Sequence, residues 1–301
     1  MFQFGKEQKI FDIASVKVGG QPGQLPTVMM GSIFYYKHNI VTNEKTGEFD
    51  RKKAEELLQK EGEISNYTGK PRIVDVCCSW PAAFEKFIEF VANKTNCPIS
   101  IDGTTAEVRI AGAKYVGEVG LSDRVIYNSI TPHTKEEELS AIKEAKIKSA
   151  ILLTLNTKNP TINGRLEVID DLLNIAQKAG IEKFLIDATV MDIPDPGLVS
   201  KVIYFIKEKY GLPAGAGAHN AVDRLRGRRK LNYIEQLIAS NTANILPIVM
   251  GANFVLYGPI ENHEWVYFGC ALADAWVSYS IMQEYKMRPS TKDHPLFKIF
   301  R

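Results

Sequence analysis

A few polar residues stand out because of where they fall. Each ends or follows a short apolar run: Asp102 in ISIDGTT, Asn128 in IYNSI, Asp187 in LIDAT, and His219 with Asn220 in GAGAHN. A carboxylate only accepts hydrogen bonds and so calls for paired N–H donors, whereas a carboxamide both donates and accepts. Two carboxylates and two carboxamides meeting in one place suit a flat, nitrogen-rich heterocycle. A phosphate would ask for main-chain N–H groups and positive charge instead. Taken singly, an Asp or Asn after a strand is a helix N-cap or a turn former. Thr104 competes with Asp102 for that duty, while IYNSI fits it badly.

The remaining candidates form a second tier. His219 could orient a ligand, act as an acid, or merely pack beside Asn220. Arg224 and Arg226 open RLRGRRK, which holds five basic residues in seven. That run is either a solvated helix start or a docking surface for the carboxylates of a substrate tail or an acidic partner. Cys77 and Cys78 are adjacent in a strand-like run and must point to opposite faces, so at most one reaches the same place as the others. With Cys97 and Cys270 they form no CxxC pair and no Cys/His spacing of the zinc kind, so no metal is expected.

Positioning these residues takes strands with a common end. The runs Thr27–Phe34, Arg72–Cys77, Pro98–Asp102, Arg124–Asn128, Ser149–Thr154, Phe184–Asp187, Leu212–Gly217 and Asn253–Tyr257 are short and apolar. That is the pattern of strands buried on both faces. Helical patterning fills the gaps over Asp50–Ser65, Pro81–Lys94, Thr104–Glu118, Thr134–Lys146, Leu166–Ala179, Pro196–Tyr210, Val222–Met250 with a break at Pro247, and Glu261–Tyr285. Gly120, Gly180 and Gly211 stand where left-handed C-terminal caps are wanted. Eight β-then-α units predict a (β/α)8 TIM barrel of the α/β class, whose active site lies at the C-terminal strand ends. An open doubly wound sheet is the alternative, but no GxGxxG follows an early strand. Lys9–Gly23 should form a short hairpin closing the bottom. No linker divides the chain, so one barrel domain is expected over residues 1–301. The last long helix carries Trp265, Val266, Tyr267, Phe268, Leu272, Trp276, Tyr279 and Ile281. This is more apolar surface than one stripe on a barrel requires, and it points to a homodimer.

Composition sets the outer bounds. The 301 residues are 45% hydrophobic and 24% charged with a formal net charge of +2. These values exclude wholesale disorder and give no argument for nucleic acid. The N-terminus lacks the apolar core of a signal peptide. The most apolar stretch, Trp265–Met282, contains Gly269 and Asp274, so no membrane span is expected. Few cysteines and no export signal predict a cytoplasmic protein.

Longer blocks carry a family resemblance. VKVGGQPGQLPTVMMGSIFY, IDGTTAEVRIAGAKYVGEVGLSDRVIYNSI, GAGAHN, NFVLYGPIEN and DHPLFK together span nearly the whole chain. The chain resembles the H-subunit family of tetrahydromethanopterin S-methyltransferase. It also resembles that family's soluble relatives, the methylcobalamin:tetrahydrofolate methyltransferases of glycine betaine demethylation. More remotely it is similar to methyltetrahydrofolate:corrinoid methyltransferases and dihydropteroate synthase. The resemblance implies a pterin-binding barrel in which Asp102, Asn128 and Asp187 bind the pterin. In the family, the match of Asp187 grips the pyrimidine edge and that of Asn220 lies beside N5, making Asn220 the expected catalytic residue. His219, Arg224 and Arg226 remain secondary.

After strand six the chain reads ATVMDIPDPG, where the methanogen family carries a Pro-Ala-Ala-Thr-Pro-like stretch, and the segment before it is shorter. This departure favours the soluble tetrahydrofolate enzymes. The expected reaction is methyl transfer between methylcob(III)alamin and N5 of tetrahydrofolate, by in-line displacement, giving methyltetrahydrofolate and cob(I)alamin. No DxHxxG corrinoid signature occurs, so methylcobalamin should arrive free or on a corrinoid protein and not be permanently bound. The alternatives are the H component of a multi-subunit complex acting on tetrahydromethanopterin, a non-catalytic pterin-binding protein, and a dihydropteroate-synthase-like condensing enzyme.

Overall fold

The computed structural model describes residues 3–191 and 194–300. The chain begins with an antiparallel hairpin, β1 (Ile10–Ile13) and β2 (Val16–Gly19), then enters β3 (Val28–Ile33). A small antiparallel ribbon, β4 (Val41–Asn43) and β5 (Glu48–Phe49), precedes α1 (Arg51–Thr68) and β6 (Arg72–Cys78). Next come α2 (Pro81–Lys94), β7 (Ile99–Gly103), α3 (Ala106–Glu118), β8 (Val125–Ile130), α4 (Glu136–Glu144) and β9 (Ser149–Leu153). A short α5 (Ile162–Glu167) and α6 (Ile169–Lys178) lead to β10 (Lys183–Asp187), α7 (Asp195–Tyr210) and β11 (Ala214–Ala216). The chain finishes with α8 (His219–Arg228), α9 (Tyr233–Val249), β12 (Phe254–Pro259), α10 (His263–Tyr285) and α11 (Pro295–Ile299).

Strands β3, β6, β7, β8, β9, β10, β11 and β12 close in that order into a parallel barrel, as expected. Each expected strand is present, with ends shifted by up to two residues. Local chemistry accounts for the helix limits. The Asp50 carboxylate accepts from the Lys53 N–H at the start of α1, which Gly69 ends at φ +72°. Thr105 rather than Asp102 caps α3, leaving the Asp102 carboxylate free of capping duty.

Two helix limits differ from expectation. Pro247 does not break its helix; it sits in the last turn of α9, where few hydrogen bonds remain to lose. The break falls at residues 229–232 instead, because Asn232 and Glu235 form a reciprocal capping box that starts α9 afresh. The helix expected over Leu166–Ala179 is split into α5 and α6 at Val168.

The N-terminal hairpin closes the bottom. Ile13, Val16 and Val18 pack into the barrel interior with Val28, Met30, Ile73, Ile126, Ile151, Leu185 and Phe254. A charged lock lies at the same end. Asp274 of α10 accepts from the Thr27 N–H and hydroxyl, both at 2.8 Å, and from the ammonium of Lys70. Lys70 and Asp274 are both buried. On α10 the apolar residues divide: Val266, Tyr267 and Ile281 are buried, whereas Phe268, Trp276 and Tyr279 are exposed. Among the described residues, no helix is long and apolar enough to cross a membrane.

Removing one member of the bottom lock should cost more than removing both. Asp274→Ala leaves Lys70 without a counter-charge and should lose about 3–5 kcal/mol in urea unfolding. The Lys70→Met, Asp274→Leu double variant should lose clearly less. Equal losses would show that the pair acts through packing alone.

Candidate active site at the barrel mouth

Two levels of side chains line the first half of the barrel near its C-terminal end. Register places Ser32, Asp75 and Ser100 side by side on β3, β6 and β7, and Cys77, Asp102 and Asn128 side by side on β6, β7 and β8. Asp75 is the centre of the group. Its carboxylate accepts from Ser100 Oγ at 2.7 Å, Ser32 Oγ at 2.8 Å and Asn128 Nδ2 at 3.2 Å, with Cys77 Sγ at 3.4 Å. Cys77 Sγ also lies 3.7 Å from Asp102 Oδ2. Cys78, on the opposite face of the strand, donates instead to the Trp80 carbonyl.

The end of β7 is clamped from outside. Arg109 Nη1 donates to the Gly103 carbonyl at 2.8 Å, and its Nε donates to Glu138 at 2.8 Å. The Tyr127 hydroxyl also donates to Glu138, at 2.7 Å. The clamp fixes the backbone that carries Asp102.

Asp187 stands across the mouth at the end of β10. Its Oδ1 accepts from the Thr189 N–H at 2.7 Å, and the Gly217 N–H also donates to the carboxylate. Thr189 holds a left-handed φ of +55°, which turns its N–H back toward the carboxylate. Gly217 links this group to α8, since a Cβ built on it would lie 3.3 Å from Asn220 Nδ2 and 3.6 Å from His219 Cε1. Asn220 itself is exposed in the first turn of α8. His219 Nδ1 bonds to the Leu256 carbonyl at 2.8 Å, so Nδ1 carries the proton and Nε2 keeps its lone pair. The His219 ring lies against Gly258, where a Cβ would come within 2.9 Å of it.

The basic run divides in use. Arg224 donates to the Met191 carbonyl in the loop after β10, while Arg226 lies 3.5 Å from Asp223 in solvent. Thus Asp102, Asn128 and Asp187 join one mouth, His219 and Asn220 adjoin it through Gly217, and Arg224 holds its wall.

Burial sets the protonation chemistry. Loss of water around Asp102, reinforced by the negative charge of Asp75, pushes its carboxyl up to about 8. Asp187 is raised less, to about 6, because the N–H groups of Thr189 and Gly217 and the charge of Arg165 oppose its burial. The Cys77 thiol is driven well above its usual range by burial, then by Asp75 and Asp102. Ligand-capable atoms of Asp75, Cys77 and Asp102 lie within 4.8 Å of one another. Asp75 spends its lone pairs on hydroxyl and amide donors, and Cys77 favours its thiol form, which is hydrogen-bonding rather than metal-binding chemistry.

Several participants escape a search of strand ends. Asp75 lies in the middle of RIVDVC, and its signal is an acid inside an apolar run. Arg165 and Asp195 come from helices α5 and α7 and form a 2.8 Å ion pair. At the rim, the Phe34 N–H donates to His38 Nδ1 at 3.0 Å, so His38 Nε2 donates to Glu261 at 2.7 Å. Tyr35 stacks on the His38 ring.

The family model for "Tetrahydromethanopterin S-methyltransferase MtrH subunit" matches residues 6–287. The chain belongs to this MtrH family. It is 41% identical to the H subunit of tetrahydromethanopterin S-methyltransferase from Methanothermobacter thermautotrophicus, over 99% of this chain and 100% of that one. It is 35% identical to the protein of the same name from Methanopyrus kandleri, over 98% of each. Among solved structures, Yersinia pestis dihydropteroate synthase with a pterine-sulfa conjugate superposes with a TM-score of 0.64 at 12% identity, covering 90% of this chain and 100% of that one. Xanthomonas albilineans dihydropteroate synthase in complex with 7,8-dihydropteroate gives 0.60 at 16% identity, covering 93% and 99%. Those two likenesses show the fold.

Membership of the MtrH family corrects the expectation of a soluble tetrahydrofolate enzyme. The relatives compared over nearly full length carry the tetrahydromethanopterin name, which favours the alternative of a component of a multi-subunit methyltransferase. The departure that suggested otherwise lies in one loop, and two of its residues, Asp192 and Ile193, fall outside the described residues.

The raised carboxyl of Asp102 makes a prediction about stability. Its folded-state value, about 8, exceeds the unfolded value, so the protonated form favours folding and ionisation opposes it. The ligand-free protein should therefore lose stability as pH rises from about 4 through about 8. Asp102→Asn should remove this loss, raising the melting temperature at pH about 8.5 and leaving it unchanged near pH 4. Equal shifts at both pH values would show that the carboxyl is not held protonated.

Proposed function

We propose that this chain binds a methylated tetrahydropterin in the barrel mouth and moves its N5 methyl group to or from a corrinoid held by a partner protein. In this reading it acts as the pterin-binding methyltransferase component of a multi-subunit assembly, and a tetrahydromethanopterin-type substrate is favoured over tetrahydrofolate. The observation that carries the proposal is the mouth itself: Asp102 and Asp187 on opposite strands, with Asn128 beside them, in a chain of the MtrH family. A pterin is flat and rich in N–H donors, and this donor–acceptor set suits it. The corrinoid supplies the site that gives or takes the methyl group.

The chain's own residues would do the rest. Asp187 accepts the paired N–H groups of the pyrimidine edge. Asp102, protonated at neutral pH, has a proton to donate toward the other ring, where a second carboxylate could only accept. Asn220 is neutral at every working pH, so it positions N5 rather than supplying a proton. Its carboxamide donates to the N5 lone pair, or accepts from protonated N5, by turning over. His219, anchored through Nδ1, offers Nε2 as an acceptor. Positioning of this kind accounts for most of the rate in a direct group transfer.

The test mixes the protein with methylcobalamin and either tetrahydromethanopterin or tetrahydrofolate and follows the corrinoid spectrum. Faster change with tetrahydromethanopterin is expected. Preference for tetrahydrofolate would restore the folate reading, and pterin binding with no spectral change would make the chain a non-catalytic binding protein. Asp187→Asn should weaken pterin binding by about 2–3 kcal/mol, roughly 30- to 150-fold. Because Asp187 must be ionised to accept two N–H groups, wild-type affinity should rise as pH increases through about 6. Affinity that is flat from pH about 5 to 8 would remove Asp187 from that role. Asn220→Ala should slow single-turnover transfer by ~10²-fold while changing affinity much less. If His219→Ala is the more damaging change, the proton-handling role passes to His219.

Pairing of two barrels remains part of the proposal. Trp276, 62% exposed, and Tyr279, 53% exposed, stand on α10 with Phe268 and give an apolar face large enough to cover a second copy. Light scattering should give twice the 33.7 kDa chain mass; the monomer mass at micromolar concentration would reject the dimer.

A further inference from the structure

Arg165 is a charged side chain with unmet donors beside the mouth. It is 0% exposed. Its Nη2 donates to Asp195 Oδ2 at 2.8 Å, and that same oxygen takes the Met191 N–H at 2.7 Å. Among the described residues nothing accepts from its Nε or Nη1. A guanidinium cannot lose its charge to escape this position. Leaving charged donors buried and unpaired costs more than leaving neutral ones so. Of the buried side chains that share this condition, Arg165 is the guanidinium and supplies two of the atoms. It lies on α5, which follows β9 at the C-terminal end of the barrel, and its charge acts on the Asp187 carboxylate.

Resting on the pterin reading above, we infer that Arg165 determines specificity by donating to the carbonyl oxygen at position 4 of the pterin ring, next to the N–H pair taken by Asp187. The pyrimidine edge of a pterin presents the 2-amino N–H, then the N3–H, then the O4 acceptor. A carboxylate satisfies the first two, and the third requires a donor on the same side. Asp187 and Arg165 form that complementary sequence. Asp195 holds Arg165 by a single nitrogen and leaves the others for the ligand. A 4-amino ring reverses the last two features: N3 has no proton and position 4 donates. Such a ring would set an N–H against the guanidinium and a lone pair against the carboxylate. Rejection of an analogue that leaves buried polar groups unpaired is the strongest discrimination a binding site can make.

The experiment compares the affinities of 6-hydroxymethylpterin and 6-hydroxymethyl-2,4-diaminopteridine by titration calorimetry near neutral pH, for wild type, Arg165→Gln and Arg165→Lys. Wild type should favour the 4-oxo ring by about 10- to 100-fold. Arg165→Gln should bring the two ligands to within about threefold, and Arg165→Lys, which keeps the charge but not the fork, should fall between. A purely structural role predicts that both ligands weaken together, so a wild-type ratio retained in either variant overturns the inference. Because the readout is a ratio, a partly destabilised Arg165→Gln still decides the matter, and Arg165→Lys decides it if the glutamine variant does not fold. Wild type that binds neither ring would refute the pterin reading itself, a result distinct from a retained ratio.

Discussion

The mouth is organised by one buried negative charge. Asp75 sits below the strand ends, almost entirely out of solvent, and three strands other than its own send it donors through Ser32, Ser100 and Asn128. A carboxylate in that position would be prohibitive without such partners. Barrel closure supplies them, because parallel register brings side chains of neighbouring strands to the same height. The arrangement fixes Asn128 and holds Cys77 between two acids. It also places Asp102 where ionisation would add a second charge beside the first.

The mouth therefore has two chemically unequal halves. On the β6–β8 side, Asp75 keeps a proton on Asp102. On the β10–β11 side, main-chain N–H groups of Thr189 and Gly217 and the nearby guanidinium of Arg165 draw Asp187 back toward ionisation. Two aspartates of the same barrel are thereby separated into a group that can donate and a group that accepts. This separation comes from burial, charge and hydrogen bonding already in place before any ligand enters, the kind of preorganised polarity that costs no rearrangement when the reaction occurs. The fold alone would not specify it, since the same barrel hosts many chemistries.

Much of this is legible in the sequence, and the omissions share a cause. Asp102, Asn128 and Asp187 are visible because each terminates an apolar run, and barrel geometry sends such ends to one face. Asp75 is invisible to that rule because it lies inside its run, two residues before Cys77 on the same face. Finding it requires knowing which neighbouring strands carry hydroxyl groups at its height. Arg165 belongs to a six-residue helix within a stretch whose periodicity suggests one longer helix, and only tertiary structure places it near Asp187. The break before α9 differs from expectation for another reason. A proline draws attention, but the reciprocal Asn232–Glu235 cap is the stronger local signal.

The loop after β10 shows why a local departure is weak evidence about substrate. Met191 is tied on both sides: its N–H donates to Asp195, which also takes Arg165, and its carbonyl accepts from Arg224 of α8. Two arginines from different helices thus hold this segment against the mouth. The basic run therefore has a structural use in Arg224, quite apart from docking an acidic partner. A βα-loop can vary in sequence as long as its anchors remain, because its backbone is secured by contacts from outside it. The strand-end residues have no such freedom. Moving Asp187 by one position would turn its side chain out of the barrel, and replacing Asp75 would strand donors from three strands. Substrate class in this barrel is thus better read from the strand ends and the buried groups beneath them than from the loop that departs.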